Sequence, residues 1–285
     1  MPFLLSIGHG YTAKILSAVL SREPGWRIIG TTRNACRCAA VTGSGADCMI
    51  WPGDGIGEAI AEATHILISV PPDTGGDPVC RALGHLMASA DKLVWVGYLS
   101  TTAVYGDRAG GWVNEEDRLL PSTRRGMARV RAEADWQALD LPLHIFRLAG
   151  IYGPGRGPLW QLQAGRKTRQ VVREGQIFNR IHVADIASAL RASMSCPKPG
   201  MVCNVADDYP CAPEEVADFA ASLLGMDPLP RIAFAEADLS PVAKSFYAEA
   251  KRVSNRRLKR ELGFRLRYPD YRSGLRSLLS PSRPQ

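Results

Sequence analysis

The stretch "FLLSIGHGYTAKILSAVL", Phe3 to Leu20, decides the fold. Its first residues, "FLLSIG" (3–8), form a short apolar run ending in glycine and read as a buried strand; Ile15, Leu16, Val19 and Leu20 then recur at helical spacing. Between them lies "GHGYTA", which places Gly8, Gly10 and Ala13 in a GxGxxA pattern. Gly8 allows a tight turn, Gly10 lets the backbone approach a pyrophosphate, and a small residue at 13 lets the helix lie close to the strand. The pattern alone also fits a mere tight turn. Its position after a strand, before a helix and inside a βαβ unit makes dinucleotide binding the expectation.

Further strands are predicted outward from this point. They are "WRIIGTTR" (26–33), "DCMIW" (47–51), "THILISV" (64–70), "KLVWVGYLS" (92–100) and "LHIFRL" (143–148), most separated by helix-length stretches. Such alternation predicts an α/β chain, a Rossmann-like doubly wound parallel sheet with a smaller C-terminal substrate domain. The late run "MVCNVA" (201–206) follows a helical "ADIASALRASM" and is expected in the same sheet. Residues 1–150 are thus read as the dinucleotide-binding domain, to which 181–206 returns. Residues 151–180 and 207–285 are read as the small substrate-binding domain, with "SPSRPQ" as a frayed end.

The second strand ends "GTTRN", with Arg33 where an NAD site would carry Asp or Glu. A carboxylate repels a 2′-phosphate, whereas a guanidinium grips it with two hydrogen bonds. The expectation is NADP(H), with NAD(H) as the lesser alternative; the plain alternative is a surface arginine at a helix start.

Composition narrows the class. The 285 residues are 46% hydrophobic, enough for a sizeable core. Without a run of 18 apolar residues or a cationic leader, the chain reads as a cytoplasmic protein with no membrane partner, a monomer or homodimer. Seven cysteines without paired CxxC knuckles suggest reduced, structural thiols and no metal; Cys36 and Cys38, two apart on a helix, point to different sides. The net charge of +7 is local: eleven of the 35 basic residues but only two of the 28 acidic ones fall within 251–285. The run "KRVSNRRLKRELGF" (251–264) either binds phosphates or forms a solvated helix face, with Ser254 as cap, Leu258 and Leu262 inside and Gly263 as the stop. No aromatic platform or second basic patch accompanies it in sequence, so the solvated face is preferred and no nucleic-acid partner is expected.

Six segments in order, "GHGYTA", "YLSTTAVYGD", "FRLAGIYGPGRG", "NRIHVADIASAL", "VCNVADD" and "KRVSNRRLKRELGF", resemble the extended short-chain dehydrogenase/reductase family of NAD-dependent epimerases and dehydratases. The resemblance spans nearly the whole chain. It implies cofactor contacts from Gly8, Gly10, Tyr11, Thr12, Ala13, Arg33, Val70, Pro71, Leu99, Arg129, Ala149 and Ile151. It also implies Thr101 as the hydroxyl that orients the reacting oxygen of the substrate, with Ser100 and Thr102 one register away. Tyr105 would line the substrate pocket and Arg156 would lie where the substrate domain begins. His182 and Asp185 are read as structural, and His9 as touching the phosphates or capping the turn.

One motif departs from the family. Its YxxxK helix pairs a tyrosine acid/base with a lysine one turn later, and "PSTRRGMAR" puts Arg125 and Arg129 at those positions. Arg129 retains charge and donors for a ribose. Arg125 cannot trade a proton near neutral pH, because a guanidinium stays protonated. Three readings follow. The first is an NAD(P)-dependent oxidoreductase or epimerase-like enzyme on an unidentified anionic or sugar-nucleotide-like substrate; Arg125 binds that substrate and Tyr98, Tyr105, Tyr152 or water supplies the proton. The second is a catalytically inactive NADP(H)-binding sensor or scaffold. In the third, Arg125, Arg129 and Glu133, spaced i, i+4 and i+8, form only a salt-bridged helix face.

Overall fold

The computed structural model describes residues 1–279, so the "SPSRPQ" end lies outside the described residues. Its first part runs β1 (Phe3–Ile7), α1 (Tyr11–Leu20), β2 (Arg27–Thr32), α2 (Cys38–Thr42), β3 (Asp47–Ile50), α3 (Ile56–Glu62), β4 (His65–Ile68), α4 (Pro78–Ala88) and β5 (Trp95–Thr101). A one-turn 3₁₀ segment (Thr102–Tyr105), the short β6 (Trp112–Val113), α5 (Arg124–Gln137) and β7 (Leu143–Leu148) follow. The remainder comprises β8 (Gly150–Tyr152), α6 (Pro158–Gln163), β9 (Gln170–Val172), β10 (Arg180–His182), α7 (Val183–Ser195), β11 (Met201–Val205), α8 (Pro213–Leu223) and β12 (Arg231–Ala233). It closes with α9 (Pro241–Tyr247), β13 (Arg252–Val253), α10 (Arg256–Leu262) and α11 (Tyr271–Ser277).

Seven strands form one parallel sheet in the order β11-β7-β5-β4-β1-β2-β3. Leu5 of β1 is flanked by Ile29 of β2 and Ile66 of β4, so the chain leaves β1 in one direction and returns on its other side at β4. That reversal opens a crevice at the carboxyl ends of β1 and β4, the general ligand position of such sheets. Alternation along β1 divides the core: Leu4 joins Leu16, Trp95, Phe146 and Ile186 beneath α1 and α7, while Phe3, Leu5 and Ile7 join Ile60, Leu83 and Trp136 beneath α3, α4 and α5. Both faces are covered, which accounts for β1 being buried throughout.

A third apolar cluster gathers Tyr152, Leu159, Leu162, Val216, Ala220, Tyr271 and Leu275 from β8, α6, α8 and α11. The pairs β8 with β10 and β9 with β12 knit the chain segments around it. The stretch carrying the basic run packs elsewhere: Val253 and Leu258 are buried in the cluster beneath α1 and α7, and β13 pairs with β6. Helix α10 does stop at Gly263, in the left-handed region at φ 57°, but its N-cap is Asn255 rather than Ser254.

The expectation of wholly reduced thiols is corrected. Cys38 and Cys48 form a disulfide, because α2 brings Cys38 back over β3 with the two Cα atoms 5.4 Å apart. Cys36 stays free and exposed. Among the described residues no helix is long and apolar enough to cross a membrane.

Candidate functional site

The turn after β1 is built around a missing side chain. Gly8 has φ 81°, and a Cβ there would lie 2.6 Å from Cγ2 of Val70. Its N–H donates to the Thr31 hydroxyl (2.9 Å), and Ser69 donates to its carbonyl (3.0 Å). Val70 therefore backs the turn rather than facing a ligand. Gly10 is the N-cap of α1 and offers no side chain, so the first-turn N–H groups have no side-chain cap, and Gly10, Tyr11 and Thr12 line an open cleft of about 510 Å³. Uncapped donors at a helix N-terminus favour an anion. Ala13, almost wholly buried, fills the narrow space between helix and sheet instead of touching the cleft.

The opposite wall comes from β5 and α5. Leu99, Ser100 and Thr101 line the cleft together with Ala149, Gly150 and Ile151, and Pro71 closes the side nearest β4. The Thr101 hydroxyl accepts from the N–H of Ala103 (3.3 Å), which leaves its own proton to donate. Helix α5 is N-capped by Thr123, whose hydroxyl accepts from the Gly126 N–H (3.0 Å). A Cβ at Gly126 would stand 2.8 Å from the Ala103 carbonyl oxygen, so the first turn of α5 lies directly against the 3₁₀ segment. That contact sets Arg125 and Arg129 into the cleft wall.

The two arginines differ. Arg129 Nη1 donates to the Tyr98 hydroxyl (2.9 Å) and the Leu99 carbonyl (2.7 Å), and its guanidinium lies 5.5 Å from the Tyr98 ring centre. Arg125 is exposed and has no partner among the described residues. The salt-bridged helix face is not what forms: Glu133 turns inward and pairs with Arg147 at 2.7 Å. Arg156 reaches the cleft over the Tyr11 ring, 5.4 Å from its centre. The Tyr11 hydroxyl donates to the Pro154 carbonyl (3.0 Å), and burial pushes its pKa up to about 12 against the opposing pull of Arg156.

Several expectations are corrected. Tyr105 is fully buried; its hydroxyl donates to Asn204 (2.7 Å) and accepts from Arg147 (2.9 Å), so it does not line the substrate pocket. Tyr98 and Tyr152 are likewise buried outside the cleft lining, which removes all three tyrosines as direct proton donors to a substrate. His9 points away from the turn. Its ring sits where a Cβ on Gly30 would be and bonds Ser44 (3.0 Å). Arg33 is exposed at the end of β2, beyond the cleft lining. His182 and Asp185 are structural, as read: His182 caps α7, and the Asp185 carboxylate accepts the N–H groups of Arg267 (2.7 Å) and Tyr268 (3.0 Å).

The far wall was not foreseen. It contains Phe178, Phe246, Glu249 and Lys251. The Lys251 ammonium donates to the Gly106 carbonyl (2.8 Å) and to Glu249 (2.5 Å), with both side chains under a tenth exposed. The second Glu249 oxygen accepts from the Ser122 hydroxyl (2.6 Å), just before α5. With arginines excluded as proton carriers, Glu249, Lys251 and the engaged Tyr11 are the side chains of the lining able to exchange a proton with a substrate. In sequence, Lys251 is indistinguishable from its neighbours in the basic run.

No family model matches the chain. A functionally unknown conserved protein from Silicibacter pomeroyi DSS is 54% identical, covers 98% of both chains and superposes with a TM-score of 0.93. Protein YeeZ of Escherichia coli K12 is 29% identical over 93% of this chain and 95% of its own. Two solved structures share the fold at low identity. The UDP-glucuronic acid 4-epimerase of Bacillus cereus, in complex with NAD, has a TM-score of 0.76 at 14% identity over 98% of this chain and 100% of that one. The dTDP-glucose 4,6-dehydratase of Bacillus anthracis, also with NAD, has a TM-score of 0.79 at 17% identity over 98% and 95%.

Proposed function

We propose that this chain, which belongs to one family with the conserved Silicibacter pomeroyi protein and has the fold of NAD-dependent epimerases and dehydratases, is an NAD(P)-dependent oxidoreductase or epimerase-like enzyme acting on an anionic, sugar-nucleotide-like substrate. The observation that carries the reading is the meeting in one cleft of an uncapped helix N-terminus, the Thr101 hydroxyl and the unpaired Arg125. The cradle fits a dinucleotide: a Cβ on Gly8 would close the turn, and the first turn of α1 would hold the pyrophosphate. Arg33 would reach a 2′-phosphate from the end of β2. A nicotinamide cofactor there would supply hydride transfer.

The chain's own residues then divide the remaining work. Thr101 donates a hydrogen bond to the reacting oxygen, Arg125 holds the negative charge of the substrate, and Arg129, fixed by Tyr98 and Leu99, keeps a permanent positive charge beside the cleft. Lys251, held by Glu249, is the group that exchanges the proton which the family takes from its tyrosine. The unpaired Arg125 in the tyrosine position also favours a second reading, a nucleotide-binding sensor without turnover.

Two substitutions test the assignment. Arg33→Glu is expected to weaken NADPH binding by about tenfold or more while changing NADH affinity little, since one charge-assisted phosphate contact is exchanged for repulsion; equal losses in a fluorescence titration would contradict the 2′-phosphate role. Lys251→Met is expected to keep NADPH affinity and to lower turnover in a sugar-nucleotide screen by about 10²–10⁴-fold. Tight NADPH binding by the wild type without turnover on any carbonyl or sugar-nucleotide substrate would favour the sensor.

A further inference from the structure

The basic run has a place that its sequence does not reveal. The β6–β13 pair, fixed by Ser254 N–H to the Val113 carbonyl (2.8 Å), brings the 112–116 loop against the start of α10. Between them lies a groove of about 560 Å³ that shares no lining residue with the cofactor cleft. Val113 points into the core, so its neighbour Trp112 turns outward, with 62% of its surface exposed at the rim. Arg256 and Arg260, one turn apart, face the same groove. The aromatic platform missing beside the basic run in sequence is supplied from more than a hundred residues away.

We propose that this groove is a second ligand site, taking a heteroaromatic anion the size of a nucleoside 5′-monophosphate, its base stacked on Trp112 and its phosphate held by Arg256 and Arg260. The volume lies within the usual range for small-molecule pockets. Three arginines face four carboxyls in the lining, and the cation open to an anion is the one without a partner. Arg257 is already paired with Glu116 (2.8 Å) and Arg260 with the adjacent Glu261, but the Arg256 guanidinium has no partner among the described residues. The acidic lining is engaged: Glu115 accepts the Asn204 N–H (2.7 Å), and Asp208 accepts from Asn255 (2.7 Å) and pairs with Lys259. Asp207 adds no repulsion near neutral pH, because burial pushes its carboxyl up to about 8. Asn255 also donates to the Ala206 carbonyl (2.9 Å), which keeps the floor of the groove in place without a ligand.

Isothermal titration with adenosine 5′-monophosphate tests the site, with adenosine and inorganic phosphate as partial ligands. The full nucleotide is expected to bind at least about tenfold more tightly than either part. Trp112→Ala is expected to weaken it by about fivefold or more, the scale of one base–aromatic stack. Arg256→Glu is expected to weaken it similarly and to abolish the advantage over adenosine, and Arg33→Glu is expected to leave it unchanged. Circular dichroism of both exposed-site variants, Trp112→Ala and Arg256→Glu, verifies folding. Absence of nucleotide binding at millimolar concentration, or binding lost in Arg33→Glu and kept in Trp112→Ala, would overturn the proposal.

Discussion

Arg147→Ala is expected to destabilise the protein by about 3–5 kcal/mol, the usual scale for leaving one member of a buried ion pair alone. Arg147 on β7 grips Glu133 of α5 through Nε and Nη2, the latter at 2.7 Å, with the side chains 6% and 2% exposed. Ser100 donates to the same carboxylate (2.5 Å), and Arg147 Nη1 reaches the Tyr105 hydroxyl (2.9 Å). Truncation would leave a buried carboxylate without its counter-charge, held by the Ser100 hydroxyl, and would remove one of the two partners of the Tyr105 hydroxyl. The double variant Arg147→Met with Glu133→Leu removes both charges and is expected to lose less than the sum of the two single changes. Urea unfolding measures all of these; a loss below about 1 kcal/mol for Arg147→Ala would mean that the pair is not buried as described. Because Glu133 also anchors Ser100, beside Thr101, the same substitution is expected to disturb the cleft.

Acidification is expected to unfold the chain steeply between pH 6.5 and 4, before ordinary carboxylates finish titrating. His9, His65, His144 and His182 are buried, and burial holds each near pH 4, well below the usual imidazole value. His144 illustrates the cause: its Nδ1 meets the Pro142 carbonyl and its Nε2 accepts the Lys198 N–H (2.8 Å), an arrangement that requires a neutral ring. In this window the unfolded chain binds more protons than the folded one, so stability rises with pH and is lost as pH falls. Asp207 acts with the opposite sign. Its carboxyl, raised to about 8, binds its proton more tightly when folded, so this contribution declines as pH climbs from about 4 to about 8. The two trends together place maximal stability at about pH 7, where the protons taken up by four unfolded histidines balance the one held by folded Asp207, and give a net uptake of about three protons on acid unfolding. Asp207→Asn is expected to raise the melting temperature at pH 8 while leaving the acid limb in place. A stability profile flat from pH 7 to 5 would contradict the buried neutral histidines.

The parts of this account legible in the sequence are those governed by local pattern. The apolar runs around β1 and β7 give those strands at or within a residue of their ends, because strands covered on both faces need no polar alternation. Gly8 and Gly263 are readable because each takes up a positive φ that other residues resist. Arg125 and Arg129 are placed by the register of the resembled family's tyrosine–lysine motif, and both line the cleft. The rest depends on chain segments that meet only after folding. Tyr105 reads as a pocket residue until Arg147 and Asn204 are seen to claim its hydroxyl. Lys251 joins Gly106 and Glu249 only because β13 returns to β6, and the same return delivers Trp112 to the basic helix. The Cys38–Cys48 bond is equally hidden, since nothing in the spacing distinguishes those two cysteines from the other five.

The proposed function requires the crevice beside β1 and β4 to bind a nicotinamide dinucleotide. Fluorescence titration of the purified protein with NADPH and NADH tests it most directly. Saturable binding of NADPH at one site per chain, tighter than NADH, is the predicted result; failure of both nucleotides to bind at millimolar concentration would contradict it.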